Sequence, residues 1–382
     1  MRAVRFHGRG DIRIDEIEEP VCGDGQVKAS LSITTRNFCN VSAEAESLTT
    51  KLDVNRFDLP LSEYVALVNI HEYITGPILV PVTPHPLTGD KLPITLGHEF
   101  SGTVEEVGPG VTEFKVGDRV AVKPNLFDAT CSSCLIGRFP SCEKVGFIGF
   151  SSQAGGLSDH IVVDTKHAIP LPDSIPLDIG ALVEPLAVAW HAVSRSPLQA
   201  NDTVLVVGAG PIGLAIIQVL KAKGITSIIA VEVSKRRREF ALALGALKVL
   251  NPIDVDAVAQ IRALTANVGA AVAFECSGVQ AGIDTAMTGL RVRGTMVIVS
   301  LWEQKPIFDT SGIVLQEKHV IGAAIYDDGD FEAVIDAIAS GNIQPRQMVT
   351  SKIRMEDVEE KGFKALIEEK DEHVKILVEI SA

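Results

Sequence analysis

Between Thr203 and Leu220 the chain reads TVLVVGAGPIGLAIIQVL, an apolar strand pattern that runs through three glycines into a helical pattern. Gly208, Gly210 and Gly213 form G-x-G-x-x-G at that junction. Each glycine has its own task in such a turn: the tight reversal, close approach of backbone to a pyrophosphate, and contact between helix and sheet. The unpaired N–H groups at the following helix N-terminus favour an anion. Glu232 closes the next apolar strand, SIIAVE, at roughly the spacing at which an acidic residue accepts hydrogen bonds from both ribose hydroxyls. A carboxylate there repels a 2′-phosphate, so the expected cofactor is NAD rather than NADP. The bland alternative is a surface glutamate beside a structural turn. The basic run Lys235–Arg238 tempers the preference, because it reads as a solvated helix face or as an arginine able to take a phosphate.

The pattern repeats downstream. SIIAVEVS, RREFALALGA, VAFECSG and GTMVIVS alternate buried strands with helical stretches, as βαβ units of a doubly wound parallel sheet do. Upstream, short alternating strands are broken by Gly-Pro-Gly and Val-Gly-Asp turns, which marks a β-rich region. The expected class is α/β: a β-rich domain over residues 1–185, a Rossmann domain over 186–327, and a mostly helical tail over 328–382 that returns to the first domain. With 382 residues and 46% hydrophobic content, the chain has enough apolar surface for both cores. A net charge of −14 argues against nucleic acid as a partner, since phosphate binding needs clustered lysine and arginine. The N-terminus shows no apolar signal region and the long apolar runs are broken by glycine, so neither membrane nor export is expected, and a cytoplasmic location is the default.

Six cysteines are too few for a disulfide scaffold in a chain this long. Three of them cluster in DATCSSCLIGRFPSC, as Cys131, Cys134 and Cys142. Two cysteines three apart and another eight further on suit a loop folded over tetrahedral Zn²⁺. Asp128, three residues before Cys131, is the candidate fourth ligand. The alternative is three reduced loop cysteines without metal.

Taken in order, LPITLGHEFSGTVEEVG, VGDRV, the cysteine lobe, LVEPLAVAWHAV and VLVVGAGPIGL resemble the medium-chain zinc-dependent alcohol dehydrogenases. Members of that family join a GroES-like catalytic domain to a Rossmann domain. Together with HEYITGP and VLQEKHVIGAAIY, these stretches look closest to the (R,R)-butanediol dehydrogenase branch of fungi, with sorbitol and xylitol dehydrogenases as neighbours. The resemblance implies a catalytic Zn²⁺ that polarises the substrate oxygen while hydride passes to NAD. It assigns His98, Glu99 and Glu184 to that metal, and His71 to relaying the substrate proton. Tyr326 falls near the family's substrate pocket. His98, Glu184, His71 and Tyr326 each have a plainer reading: a strand-end histidine, a glutamate opening a helix, a solvated loop histidine and a packing aromatic. The lobe usually carries four cysteines, and Asp128 stands at the first.

The match fails between Ile33 and Asn69, which is about thirty residues longer than the family needs. At the end of this stretch Ala66 replaces the cysteine ligand of the catalytic metal. Val68 replaces the hydroxyl residue that starts the proton relay, and Asn69 an aspartate that orients the ligand histidine. A translated intron or another gene-model error explains why both flanks continue in register. Cys39, inside the stretch, is a less supported replacement for the missing sulfur. The expected function is NAD- and zinc-dependent oxidation of a secondary alcohol or vicinal diol, in first place 2,3-butanediol to acetoin and the reverse, by a homo-oligomer (dimer or tetramer). The alternatives are a sorbitol- or xylitol-type polyol dehydrogenase, and an NAD-binding protein impaired in catalysis by Ala66. A zinc-independent reductase fits poorly with the intact Gly-His-Glu and the cysteine lobe.

Overall fold

The computed structural model describes residues 1–36, 72–74, 76–77, 80–302, 304–369 and 371–380. The N-terminal region contains β1 (Arg2–Gly8), β2 (Asp11–Glu16), β3 (Gln26–Arg36), β4 (Ile94–Thr95), β5 (Glu99–Val107), β6 (Arg119–Val122), β7 (Asn125–Leu126), β8 (Gly146–Phe147), β9 (His160–Asp164) and β10 (Ala168–Pro170). Between β7 and β8 the cysteine lobe projects around a single helical turn, α1 (Ser132–Leu135). The short α2 (Leu177–Gly180) then leads into α3 (Val183–Arg195), the first long helix.

The dinucleotide region alternates β11 (Val204–Val207), α4 (Pro211–Ala222), β12 (Ile228–Val231), α5 (Lys235–Leu244), β13 (Lys248–Leu250), α6 (Ala257–Leu264), β14 (Ala270–Glu275), α7 (Gln280–Gly289), β15 (Leu290–Ile298), α8 (Thr310–Leu315) and β16 (His319–Gly322). Its six strands are all parallel, in the order β13-β12-β11-β14-β15-β16. The order reverses between β11 and β14, and a crevice outside the strand C-termini at such a point is where open α/β sheets bind ligands. Central strands β11, β12 and β14 are buried throughout, which is why they read as apolar runs rather than alternations.

Two glycines explain the turn after β11. Gly208 has φ +89°, and a Cβ on it would lie 2.9 Å from Ser277 N. A Cβ on Gly213 would sit 1.9 Å from the Gly208 carbonyl oxygen, so α4 packs against the turn only without a side chain there. Gly210 is the residue from which α4 starts.

After α9 (Asp330–Ala339), the chain forms β17 (Val349–Arg354) and β18 (Lys375–Glu379). These strands join the sheet β10-β6-β5-β3-β18-β17, in which β9 also pairs with β3. The tail thus completes the N-terminal sheet. Its helix does not travel with it: α9 buries Phe331, Val334 and Ile335 and packs on α3, beside the dinucleotide region.

Residues 33–36, grouped by sequence with the atypical stretch, belong to the sheet. Thr35 stands opposite Glu99 on one side and Leu377 on the other, and Arg36 opposite Ile376. Their polar pattern hid the strand, because pairing on both edges decides it rather than local alternation. Leu177–Arg195 has the length and apolarity to cross a membrane, yet 83% of that window is buried inside the protein, against α4 and α9. It is the core helix that carries the next site.

Candidate active site and metal sites

His98 closes the turn before β5, and Glu99 is the first residue of that strand. Glu184 lies in the first turn of α3, where the helix dipole favours an acid. One ligand atom from each of His98, Glu99 and Glu184 comes within 4.8 Å of the others, and all three residues are buried. His98 stacks on Phe150 with ring centroids 4.3 Å apart. Burial and the nearby Lys375 charge lower its pKa to about 3, so the imidazole is neutral, the form that binds metal. Burial and the neighbouring Glu99 push the Glu184 carboxyl well above its ordinary value.

Glu99 has a cationic partner that the sequence did not single out. Lys375 of β18 reaches across β3 and places Nζ 2.6 Å from Glu99 Oε2, with neither side chain exposed. Burial raises the Glu99 carboxyl, and the Lys375 ammonium works against that rise. The other oxygen, Oε1, lies 3.9 Å from His98 Nε2. The signal available in sequence was a lone lysine inside the apolar strand HVKILVEI.

The donors fit a divalent cation. His98 Nδ1 and Glu184 Oε1 are buried without hydrogen-bond partners, as is the hydroxyl of Tyr326. Buried polar atoms are rarely left so, and a cation between the donors satisfies the ligand atoms. Tyr326 is at once a packing aromatic, 5.6 Å from the Phe331 ring centroid, and a neighbour of Glu184 and Asn125, which influence its hydroxyl. His71, Ala66, Val68, Asn69 and Cys39 lie outside the described residues, so the described donor set holds nitrogen and oxygen but no sulfur.

A cleft of about 460 Å³ opens on this cluster. His98 and Glu184 form one part of its wall; Val188, Ile212, Ile298 and Trp302 give it an apolar part. The crevice lies at the strand C-termini of the dinucleotide sheet, beside the glycine turn. Glu232, just after β12, has both oxygens engaged, accepting from Ala209 N at 2.7 Å and Ser234 N at 2.8 Å. A carboxylate offers about four acceptor positions, so capacity remains for ribose hydroxyls. In the basic run, Lys235 and Arg236 are exposed whereas Arg237 is buried, and an Arg238 N–H donates to the Glu232 carbonyl.

The cysteine lobe forms a second cluster. Ligand atoms of Asp128, Cys131, Cys134 and Cys142 lie within 4.8 Å of one another. Zn–S bonds of about 2.3 Å give a tetrahedral edge of about 3.8 Å, and the Cys131 and Cys142 sulfurs are 3.9 Å apart. Asp128 Oδ1 accepts the Cys131 and Thr130 amides, which hold the carboxyl below the usual range. Its Oδ2 is buried without a hydrogen-bond partner, with the Lys144 ammonium 3.6 Å away. Burial pushes the Cys134 thiol up to about 12. The four donors therefore fit a closed S₃O zinc site.

A dinucleotide crevice beside a buried histidine–carboxylate metal cluster defines a metal-assisted, nicotinamide-dependent oxidoreductase. Comparison with known proteins agrees. Residues 211–340 match the zinc-binding dehydrogenase family and residues 68–173 the alcohol dehydrogenase GroES-like domain. The (R,R)-butanediol dehydrogenase of Bacillus subtilis is 40% identical over 99% of each chain. Its Saccharomyces cerevisiae namesake is 39% identical over 81% of this chain and 87% of its own. The crystal structure of the Bacillus subtilis 2R,3R-butanediol dehydrogenase superposes with a TM-score of 0.86 at 39% identity, over 100% of this chain and 99% of that one. The chain belongs to the zinc-binding, medium-chain alcohol dehydrogenase family. It is an oxidoreductase of that family, whose cofactors are zinc and NAD.

Two outcomes follow from the clusters. Replacing Lys375→Met strands the Glu99 carboxylate in the core, and breaking a buried pair in this way costs about 3–5 kcal/mol; urea unfolding at pH 7 measures the loss, and an unchanged midpoint contradicts the pairing. In the lobe, Asp128→Ala is expected to remove one zinc per chain while Asp128→Cys retains it, as read by elemental analysis of the purified proteins.

Proposed function

We propose that this chain interconverts (R,R)-2,3-butanediol and acetoin with NAD as hydride carrier. The observation that carries the reading is the cleft itself: unsatisfied ligand atoms of His98 and Glu184 at one part of its wall, apolar side chains at another, and the dinucleotide turn beside them. The names of the relatives at 39–40% identity support the substrate class.

His98, Glu99 and Glu184 would hold the catalytic zinc, which when bound supplies a Lewis acid for the alcohol oxygen. The remaining work falls to the protein. Val188, Ile212 and Ile298 keep water from the reacting carbon. The N-terminus of α4, opened by Gly208 and Gly210, receives the pyrophosphate, and Glu232 takes the ribose hydroxyls and disfavours a 2′-phosphate. We assign His71 to carrying the substrate proton outward. Asp128, Cys131, Cys134 and Cys142 hold a second, structural zinc.

A second reading has its own observation: Ala66 stands where the family carries a cysteine, which leaves a chain that binds NAD and turns over poorly. Cys39 follows the end of β3 by three positions, a chain reach of at most about 11 Å from Arg36, and is the sulfur to test. Zinc content and NAD-linked oxidation of 2,3-butanediol, measured on the full chain and on Cys39→Ser, separate these readings. Two zinc ions per chain with diol turnover support the first, and loss of one zinc in Cys39→Ser identifies the ligand. One zinc with no turnover supports the second, and there Ala66→Cys with the preceding excess deleted should restore activity.

We also propose a cytoplasmic homo-oligomer assembled through the dinucleotide sheet. Its edge strand β16 carries the part-exposed Val320, and exposed Val314 and Leu315 lie on the neighbouring α8. An edge unpaired among the described residues and flanked by apolar side chains is a template for a second copy. Light scattering should give a dimer or tetramer for the full chain and a smaller species for Val320→Lys with Leu315→Glu; a monomeric parent rules the proposal out.

A further inference from the structure

One fully buried carboxylate belongs to neither the metal cluster nor the glycine turn. Glu275 ends β14, at the reversal point of the dinucleotide sheet, with none of its surface exposed. Its Oε1 accepts Ser277 N at 2.7 Å, Gly278 N at 3.1 Å and the Ser277 hydroxyl. Its Oε2 accepts the hydroxyl of Ser300. The Glu275 carbonyl takes the amides of Val299 at 3.0 Å and Ser300 at 3.1 Å. No lysine or arginine among the described residues forms an ion pair with it.

Burying an unpaired carboxylate is costly, and the bonds to Ser277 and Gly278 merely close a local turn. The bond to Ser300 differs, because it spans 25 residues and ties the end of β14 to the loop after β15. It also has a direction. The Ser300 hydroxyl spends its one proton on Oε2 and turns a lone pair outward. That lone pair receives the indole N–H of Trp302 at 2.9 Å. Val299, Ser300, Leu301 and Trp302 line the same cleft as His98 and Glu184. Nor has the joint any slack: Gly278, at φ +66°, has room for no more than hydrogen, since a Cβ would lie 2.9 Å from the Leu301 carbonyl oxygen.

We propose that Glu275 is a positioning residue that acts through Ser300 to fix the indole of Trp302, and that Trp302 sets the size of alcohol the cleft admits. The size clause rests on the reading of this cleft as a diol site; the positioning clause does not. A neutral amide in place of Glu275 frees the Ser300 proton to turn, and the indole loses its fixed acceptor.

The chain has two tryptophans, Trp190 and Trp302, so Trp190→Phe leaves Trp302 as the sole reporter. In that background Ser300→Ala removes the link while sparing the bonds from Glu275 to its own turn. The expected result is a melting temperature within a few degrees of the parent, Trp302 emission shifted to longer wavelength, and KM for 2,3-butanediol raised about three- to tenfold, as the loss of one such bond implies. KM for NAD should stay within about twofold, and the kcat/KM ratio of 3,4-hexanediol to 2,3-butanediol should rise. Glu275→Gln should shift the emission likewise, and the double variant should be no worse than the more severe single one, because both changes cut one relay. Unchanged emission in Ser300→Ala, or additive effects in the double variant, overturns the positioning role. Shifted emission with an unchanged diol ratio overturns the size clause. If Glu275→Gln fails to fold, Ser300→Ala alone decides. A parent without turnover on either diol removes the functional reading and the size clause with it, whereas the emission still decides the positioning.

Discussion

The contact between Lys375 and Glu99 makes one site out of the two ends of the chain. Glu99 starts β5, Lys375 starts β18, and β3 runs between them, so one ion pair bridges three neighbouring strands with neither side chain exposed. Such pairs contribute little net stability against an apolar substitute, since desolvation consumes most of the attraction. What this one supplies is placement. With one oxygen held by Lys375, the Glu99 carboxylate turns the other toward His98, whose ring packs at a tilt on Phe150.

The dinucleotide half was legible because its demands are local. A turn that brings backbone within reach of a pyrophosphate excludes side chains, and Gly208 and Gly213 record that exclusion in the sequence itself. That Asp128 would stand beside the three cysteines was legible by counting, because a lobe this short leaves few other donors. His98 and Glu184 came from resemblance rather than periodicity, and the fold brings them together although 86 positions separate them in sequence. Lys375 could be noticed as odd but not assigned. Its strand is buried on both faces, so alternation says nothing about which way a charge points. The Glu275–Ser300–Trp302 relay was invisible for a related reason: the register of β14 against β15 creates it, and no spacing rule encodes that register.

The two candidate metal clusters place related donors in different settings. In the lobe, four ligand atoms fit a closed tetrahedron and leave no place for a substrate. Around His98 the described donors are fewer and face a cleft, the arrangement that allows an alcohol oxygen to approach. The lobe is not isolated from that cleft, since Arg138 and Pro140 between Cys134 and Cys142 form part of its wall. Arg138 also lies 3.6 Å from Asp327, which ties the lobe to the dinucleotide side.

The place of β18 in the sheet has a consequence for how the protein is made. The Ile33–Arg36 half of β3 meets β5 on one edge early in synthesis, but its other edge is filled only by β18, more than three hundred residues later. All six strands of the dinucleotide sheet leave the ribosome in that interval and have their full set of partners. The nascent chain therefore carries an open strand edge beside His98 and Glu99 until β18 arrives. An edge of this kind invites pairing with foreign strands. Closing it falls to β18, the strand that also brings Lys375 to Glu99.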